Sequence, residues 1–337
     1  SAYRMHGLPT RSGEELIDRL RQAAEAAGVD ILTDALVETL HADEDGRVRA
    51  VTARRPDGSA ETVSCDALVL ACNGYGGRRD LVARWIPDLA DALYFGHPGN
   101  QGDAVLWGDA LGAATRHLSG HQGHGSVAHP HGILITWATI TEGGFQVNAE
   151  GVRFSDESRG YSEQAADVLR QPGGVVWTIF DARIASVARQ FQDFRSAEAA
   201  GAILAADDWP TLARRLGLPE EPFIATARAV EACKAGDLSD PFGRALEGST
   251  PLQAPYLAVK VTGALFHTQG GLVVDANARV LRPDGSALPN LFAAGGAACG
   301  VSGTSASGYL SGNGLLAAFG YGRLAGEAAA ALVTASG

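Results

Sequence analysis

The amino-acid sequence predicts an α/β protein in which one domain is interrupted by another. Strand, glycine turn and helix follow one another near both ends of the chain, at 66–85 and 291–316. The segment between about Ala114 and Gly263 differs from both, carrying most of the histidines and several polar hairpins. At 337 residues the chain is long for one ordinary small core and short for three, so two domains fit.

The elements read off in order. Ser12 and Glu15 form a capping box, Leu16, Ile17, Leu20 and Ala24 an apolar helical stripe, and Gly28 a stop. Strands are expected at Val29 to Thr33, Leu36 to Leu40, Val48 to Arg54 and Glu61 to Ser64, with Glu44-Asp45-Gly46 and Pro56-Asp57-Gly58 supplying turns between the later ones. Asp66 to Cys72 is continuously apolar after its first residue, the mark of a fully buried strand, and it ends in Asn73-Gly-Tyr-Gly-Gly77 before a helix near Leu81 to Trp85. Gly102-Asp103 opens a further helix that runs to about Gly112. Beyond Gly270 come a strand at Leu272 to Asp275, a hairpin over Ala276 to Gly285, a buried strand at Leu291 to Ala294, a Gly/Ser-rich loop and a closing Ala-rich helix.

Composition narrows the function. With 46% hydrophobic and 19% charged residues the chain is expected to fold throughout, and its 43 glycines cluster in short runs suited to tight turns and close approach of backbone to a ligand. A formal charge of −11 argues against nucleic acid or an anionic membrane as the main partner and leaves a small molecule. The apolar runs, such as Ala328 to Val333, are far shorter than the ~20 residues of a membrane span, and no basic-then-apolar leader is present, so no membrane attachment is expected. Cys65, Cys72, Cys233 and Cys299 form no CxxC pair, which fits a reducing cytoplasm as the expected location.

The richest constellation lies late in the chain. Asn290-Leu-Phe-Ala-Ala-Gly295 leads through a loop to Gly308 and then to Tyr309-Leu-Ser-Gly-Asn-Gly-Leu-Leu316. A buried strand, a glycine turn and a helix N-terminus present unpaired N–H groups to a phosphate or a polarised carbonyl. Gly312 and Gly314 equally suit close packing of the helix on a sheet, and a lone glycine-rich helix start does not separate the two readings.

Phe266-His-Thr-Gln-Gly-Gly-Leu-Val-Val-Asp275, Pro289-Asn-Leu-Phe-Ala-Ala-Gly295 and Ser311-Gly-Asn-Gly-Leu-Leu316 together resemble the C-terminal signature of the fumarate reductase and succinate dehydrogenase flavoprotein family. Leu68-Val-Leu-Ala-Cys-Asn-Gly74, Gly102-Asp103, and Asn148-Ala-Glu-Gly-Val-Arg-Phe154 with Glu157 continue the likeness in the family's order over nearly the whole chain. The resemblance implies a Rossmann-like FAD-binding domain, residues 1 to 113 and 265 to 337, interrupted by a mobile capping domain, residues 114 to 264, with the substrate at their junction. It implies FAD contacts from the Val37 backbone at the adenine, from Ala71, Cys72, Asn73, Gly74, Gly102 and Asp103 along the cofactor, and from Gly295 near the ribityl chain. Gly312, Asn313, Gly314 and Leu315 would lie at the carbonyl edge of the flavin ring.

The chain departs from the family at three points. No strand followed by GxGxxG, the device that cradles a dinucleotide pyrophosphate, stands at its start, so that end of the cofactor is expected from an N-terminal segment outside this sequence or from a second chain. Gly296 replaces a glutamate that the family places beside the ribityl hydroxyls. His124 and His267 align with the family's two substrate-binding histidines, but Tyr161 stands at the proton-donating arginine and Tyr309 at a second, carboxylate-binding arginine. A guanidinium fork holds a carboxylate bidentately and a phenol cannot, so a diacid is disfavoured. Tyr309 and Ser311, with Tyr161, in this respect resemble the tyrosine and serine sets of 3-ketosteroid dehydrogenases.

The expected activity is therefore FAD-dependent desaturation, or the reverse reduction, of a carbon–carbon bond beside a carbonyl, on a ketosteroid-like or other ketone or enone substrate. Tyr309 and Ser311 would polarise the carbonyl and Tyr161 would handle a proton. A phenol, with an ordinary pKa of about 10, needs a neighbour such as His124 or His267 to act as a base near neutrality. Two alternatives stand beside it: reduction of an unsaturated acid in the manner of fumarate reductases, and a catalytically silent binding module. Packing of half-buried phenols is the bland account of Tyr161 and Tyr309. Arg153 and Arg159 are further candidates for an acidic substrate. The electron donor or acceptor is open. No metal is expected, because His117, His121, His124, His129 and His131 match no metal-ligand spacing, and no GxSxG supports a serine hydrolase.

Overall fold

The computed structural model describes residues 13–336. Helix α1 (Gly13–Ala26) precedes an antiparallel meander of β1 (Leu36–Ala42), β2 (Val48–Arg54) and β3 (Ala60–Ser64). Next come β4 (Leu68–Leu70), α2 (Arg79–Trp85), β5 (Leu93–Tyr94) and α3 (Asp103–Ala110). The middle of the chain forms β6 (Thr115–Arg116), β7 (His121–Ala128), β8 (Ile133–Leu134), α4 (Ala138–Thr141), β9 (Phe145–Val147), α5 (Tyr161–Leu169), β10 (Val175–Asp181), α6 (Ala182–Ala188), α7 (Gln192–Ala199), β11 (Ile203–Ala206), α8 (Trp209–Leu216), α9 (Glu220–Ala235) and β12 (Tyr256–Thr268). The chain closes with β13 (Gly271–Leu272), β14 (Arg279–Leu281), β15 (Ala287–Ala293) and α10 (Asn313–Ser336).

Two sheets matter for the site. In the larger, β7 and β10 flank β12 on opposite edges, β8 and β9 lie outside them, and β5 and β11 also pair with β12. β12 is long enough to serve several partners because its residues 257–265 are almost all buried, with Leu257, Ala258, Val259, Val261, Ala264 and Leu265 reading as a core strand. Helices pack over this sheet around Phe145, Ile179, Phe180, Phe194, Leu212 and Phe223, each buried side chain contributing roughly 1.5–3 kcal/mol. Asp181 and Asp208 start α6 and α8 by accepting from Ile184 N and Thr211 N, and Gly217, at φ 70°, ends α8 in the left-handed conformation that glycine adopts freely.

The second sheet is small, ordered β14-β15-β4, with β15 and β4 parallel. Leu70, Leu272, Val280, Leu288, Leu291 and Ala293 make its core. Asn290 ties it to the meander: its amide accepts from Val48 N and donates to the Val48 and Asp66 carbonyls, each at 2.8 Å. One asparagine thus satisfies backbone groups on two separate segments, a role for which an apolar residue has no substitute.

Several sequence expectations need correction. Residues 29–33 form no strand, because no neighbour in the described residues offers them a ladder, and Ile31 and Leu32 stay exposed. The strand expected as fully buried over 66–72 shrinks to β4, with Leu68 and Val69 half-buried, since its edge away from β15 carries no strand among the described residues. The strand at 272–275 is reduced to β13 and one bridge between Val274 and Val280. The apolar stripe of α1 exists but buries nothing there: Ile17 is 62% exposed. Ser12, the expected cap of that helix, lies outside the described residues.

Candidate active site

The site grows from the β7–β12 pair. His124 on β7 lies opposite Ala264 on β12, and an irregularity in the ladder between Leu265 and His267 re-aims Phe266 and His267. Glycines on either side of His124 let α5 settle on β7. A Cβ at Gly123 would stand 2.7 Å from the Ala165 side chain, and one at Gly125 would stand 2.9 Å from the Gln164 backbone. The Ser162 hydroxyl accepts from Gly123 N at 2.9 Å, and Gly160, at φ 135°, makes the elbow that starts the helix. Tyr161, the first residue of α5, is thereby laid over His124.

Near-parallel rings result. Phe95 stacks on Phe266 at 4.7 Å, Phe266 on His124 at 5.2 Å, and His124 on Tyr161 at 4.9 Å, with interplanar angles of 11°, 23° and 22°. Trp137 meets His124 edge-on at 5.7 Å, and Tyr309 meets Tyr161 edge-on at 5.9 Å. The Tyr161 hydroxyl lies 2.7 Å from Ser311 Oγ, just before α10 begins. Tyr161, Tyr309, Ser311 and His124, proposed from sequence, therefore stand together. His267 joins them through α10, since a Cβ at Gly314 would lie 3.6 Å from its ring.

The electrostatics sort the roles these groups can play. Burial, then the neighbouring Tyr161 phenol, push the Tyr309 hydroxyl well above the ordinary tyrosine range, so it keeps its proton and is available as a donor. Burial also lowers the His267 pKa, with partial compensation from the Thr268 backbone. His124 is fully buried, its Nδ1 has no partner among the described residues, and burial brings its pKa down to about 3. It stacks on Tyr161 and stays neutral there, and the cost of charging it makes it a weak base for that phenol.

A stability consequence follows. The unfolded chain protonates His124 near pH 6.5 and the folded chain does not, so this contribution is complete above about pH 6.5 and is lost as pH falls toward 3. Between pH 7 and pH 5 the loss should be about 2 kcal/mol. His124→Asn should lack that share of the slope when urea midpoints are compared at the two pH values. Identical slopes for both proteins would mean that His124 protonates without penalty.

Arg153 is not the free cation that sequence allowed. It donates to Glu157 at 3.0 and 2.7 Å, and its remaining arm reaches Asp240. Glu157 also accepts from Arg244 at 3.1 Å and from Gln146 N at 3.0 Å. This knot is buried and internally paired, so it braces the 157–161 elbow and offers no charge to a substrate. Arg159 is exposed and pairs with Asp167.

A second cluster lies at the carboxyl ends of β4 and β15, where ligands of open α/β sheets gather. Asn73 adopts φ 65°, unusual for a residue with a side chain, and Gly102 N donates to the Gly74 carbonyl at 3.0 Å. A Cβ at Gly74 would come within 1.9 Å of Thr268 Oγ1, and one at Gly296 within 2.0 Å of Asn73 Oδ1. Asp103 follows Gly102 at the start of α3 near Cys72, and Ala71 is exposed at the rim. Gly295 and Gly312 take positive φ values of 59° and 87°. Val37 lies apart from this cluster, half-buried on β1 opposite Ala53.

The mouth of α10 completes the picture. Asn313 is buried, its Nδ2 donates to Ser302, and its Oδ1 has no partner among the described residues. Around it Val301, Leu310, Leu315 and Leu316 are 63, 56, 55 and 62% exposed. A free acceptor, unpaired helix N–H groups and an apolar rim fit a flat heteroaromatic ring bearing polar edges, which is the character of an isoalloxazine. Among the described residues no group of three side chains is placed to hold a metal ion. No helix there is long and apolar enough to cross a membrane.

Sequence reading missed Phe95, Trp137, Phe266, Gln269 and Ser302. Phe266 and Gln269 flank His267 in the segment already singled out, whereas nothing local marks Phe95 or Trp137.

Comparison with known proteins places these features in context. The family model described as FAD binding domain matches residues 2–315. A probable fumarate reductase, Ifc3, of Shewanella frigidimarina (strain NCIMB 400) is 30% identical over 97% of this chain and 55% of its own length. A flavocytochrome c3 fumarate reductase solved in an open conformation superposes with a TM-score of 0.81 at 29% identity, covering 98% of this chain and 57% of that one. The 3-ketosteroid-Δ4-(5α)-dehydrogenase of Rhodococcus jostii RHA1 superposes with a TM-score of 0.66 at 25% identity, covering 94% and 63%. The chain thus spans somewhat over half the length of these relatives, and its likeness to the fumarate reductases is the stronger.

Proposed function

Because the chain belongs to the FAD binding domain family, a mixed α/β fold with a Rossmann-like core and added capping strands and helices, we propose that it is the flavin-and-substrate body of an oxidoreductase. Its reaction is the reduction of a carbon–carbon double bond conjugated to a carbonyl group. This direction follows the fumarate-reductase relatives, which support a fumarate-reductase-like reaction better than the ketosteroid-like desaturation or reduction that the phenols suggest. The substrate is a monocarboxylic 2-enoate or a neutral enone, because Tyr309 occupies the position of a carboxylate-binding guanidinium and Tyr161 that of the proton-donating one, and a phenol cannot grip a second carboxylate bidentately. The observation that carries this reading is the meeting of Tyr161, Ser311 and Tyr309 at the mouth of α10, with the Tyr161–Ser311 contact at 2.7 Å.

FAD, when bound in its reduced form, supplies the hydride that reaches the β-carbon. Asn313, Gly314 and Leu315 would hold the polar edge of its ring, and Ala71 to Gly74, Gly102, Asp103, Gly295 and Gly296 would hold the rest of the cofactor. Tyr309 and His267 donate to the substrate carbonyl oxygen and stabilise the enolate charge that develops there. Tyr161 delivers the proton to the α-carbon and regains one along its contact with Ser311. One hydride and one proton convert the double bond to a saturated one, so each turnover draws two electrons from an external donor. The phosphate end of the cofactor has no GxGxxG turn in this chain, and we assign its holder to a segment or second chain beyond this sequence. Among the described residues β4 is the edge strand of its sheet, which is compatible with that assignment.

The test is a substrate panel. The chain is reconstituted with excess FAD, checked for a flavin spectrum, and supplied with dithionite-reduced methyl viologen. Acrylate or 2-cyclohexen-1-one should oxidise the dye faster than fumarate does. A chain that stays colourless with FAD, or that turns over fumarate fastest, would count against the proposal.

A further inference from the structure

A buried line of polar side chains runs from the mouth of α10 to His267. The Asn313 amide reaches the Ser302 hydroxyl, Ser302 Oγ lies 3.0 Å from Gln269 Oε1, and Gln269 Nε2 lies 3.0 Å from His267 Nδ1. Gln269 and Ser302 are 3% and 1% exposed, so neither exchanges these partners for solvent.

Such a line has a polarity. An amide NH2 only donates, so the Ser302 oxygen accepts from Asn313 and its single hydrogen is free for Gln269 Oε1. With its oxygen engaged, Gln269 turns its NH2 to His267, and Nδ1 must then be bare. A neutral imidazole carries its hydrogen on the other nitrogen, Nε2. The opposite polarity requires both amides to flip and leaves the Asn313 NH2 buried without an acceptor beside the positive end of α10. An unfilled carbonyl costs less than an orphaned N–H, and the helix end favours the oxygen. The competing partner for His267 is the Thr268 backbone, which can attract a hydrogen from the ring.

We propose that Gln269 is a positioning residue that fixes His267 as the Nε2–H tautomer, with Ser302 and Asn313 setting the direction of the amide. His267 then presents a pre-oriented N–H to the substrate carbonyl. That last step rests on the function proposed above, whereas the tautomer itself does not.

The test reads the tautomer directly, without turnover. Long-range 1H–15N spectra of 15N-histidine-labelled chain, with His267 assigned by its loss in His267→Gln, should show the hydrogen on Nε2 at about pH 8, where an imidazole is neutral. Gln269→Glu, nearly isosteric, replaces the donor by a carboxylate that can only accept. In it Nδ1 should become protonated and the His267 midpoint should rise by about one to three units, as expected for an imidazole gaining a carboxylate partner. A hydrogen on Nδ1 in the unmodified chain would overturn the proposal even if Gln269→Glu did not fold. So would an unchanged His267 tautomer and midpoint in Gln269→Glu. Failure of the enone panel with the Nε2–H tautomer intact would sink the proposed function and leave this assignment standing.

Discussion

Tyr309→Phe should lower kcat/KM for the enone or enoate by about 10²- to 10³-fold, the usual effect of deleting one donor to a developing oxyanion. The phenol owes its protonated state to burial and to Tyr161, so it remains a donor well into alkaline solution and its loss is not masked by ionisation. Phenylalanine keeps the ring, and with it the edge-to-face contact to Tyr161 at 5.9 Å. Stability should therefore change by less than about 1 kcal/mol, as for other near-isosteric replacements. Flavin affinity should hold as well. A loss of turnover with unchanged flavin titration and urea midpoint assigns the hydroxyl to the reaction, and unchanged turnover would make Tyr309 a packing residue.

Glu157→Ala should destabilise the chain by about 3–5 kcal/mol, the cost of breaking a buried ion pair from one side. Glu157 is 1% exposed and serves two guanidinium groups and a backbone N–H, so its removal leaves Arg244 with only the Gly144 and Ile140 carbonyls and no carboxylate, and leaves Asp240 as the one carboxylate on Arg153. Burial by itself would weaken the charge on Arg153, and the two carboxylates more than restore it. The loss should appear as a lower urea midpoint. It should reach the chemistry too, because the elbow at 157–161 loses its brace and Tyr161 its fixed distance to Ser311. A change below about 1 kcal/mol would show that the knot contributes geometry without stability.

The parts of this architecture that were legible in the sequence are those whose signal is local. β15 announces itself as an apolar run before a glycine turn, and β2 and β3 as alternating strands between Asp-Gly turns. His124 and His267 were found through their motif neighbours. What stayed hidden depends on residues far apart in the chain. Arg153 reads as a surface hairpin charge until Asp240 and Arg244, 87 and 91 positions later, fold over it. Phe95 and Phe266 look like isolated aromatics until β5 pairs with β12 and brings them face to face. The length of β12, which carries four pairing partners, is likewise set by its neighbours more than by its own alternation.

The two halves of the site are built from different materials. Around Asn73, Gly74 and Gly296 the structure depends on backbone shape, and almost any added carbon collides. Around Phe95, Phe266, His124, Trp137, Tyr161 and Tyr309 it depends on side chains that stand on an already formed sheet and helix. Natural selection can therefore work on the second set by single replacements while the first stays frozen. Substrate preference becomes the quickly diverging trait of such a lineage and the redox partner ring the inherited one, so that near relatives can share a cofactor and live on different carbon compounds.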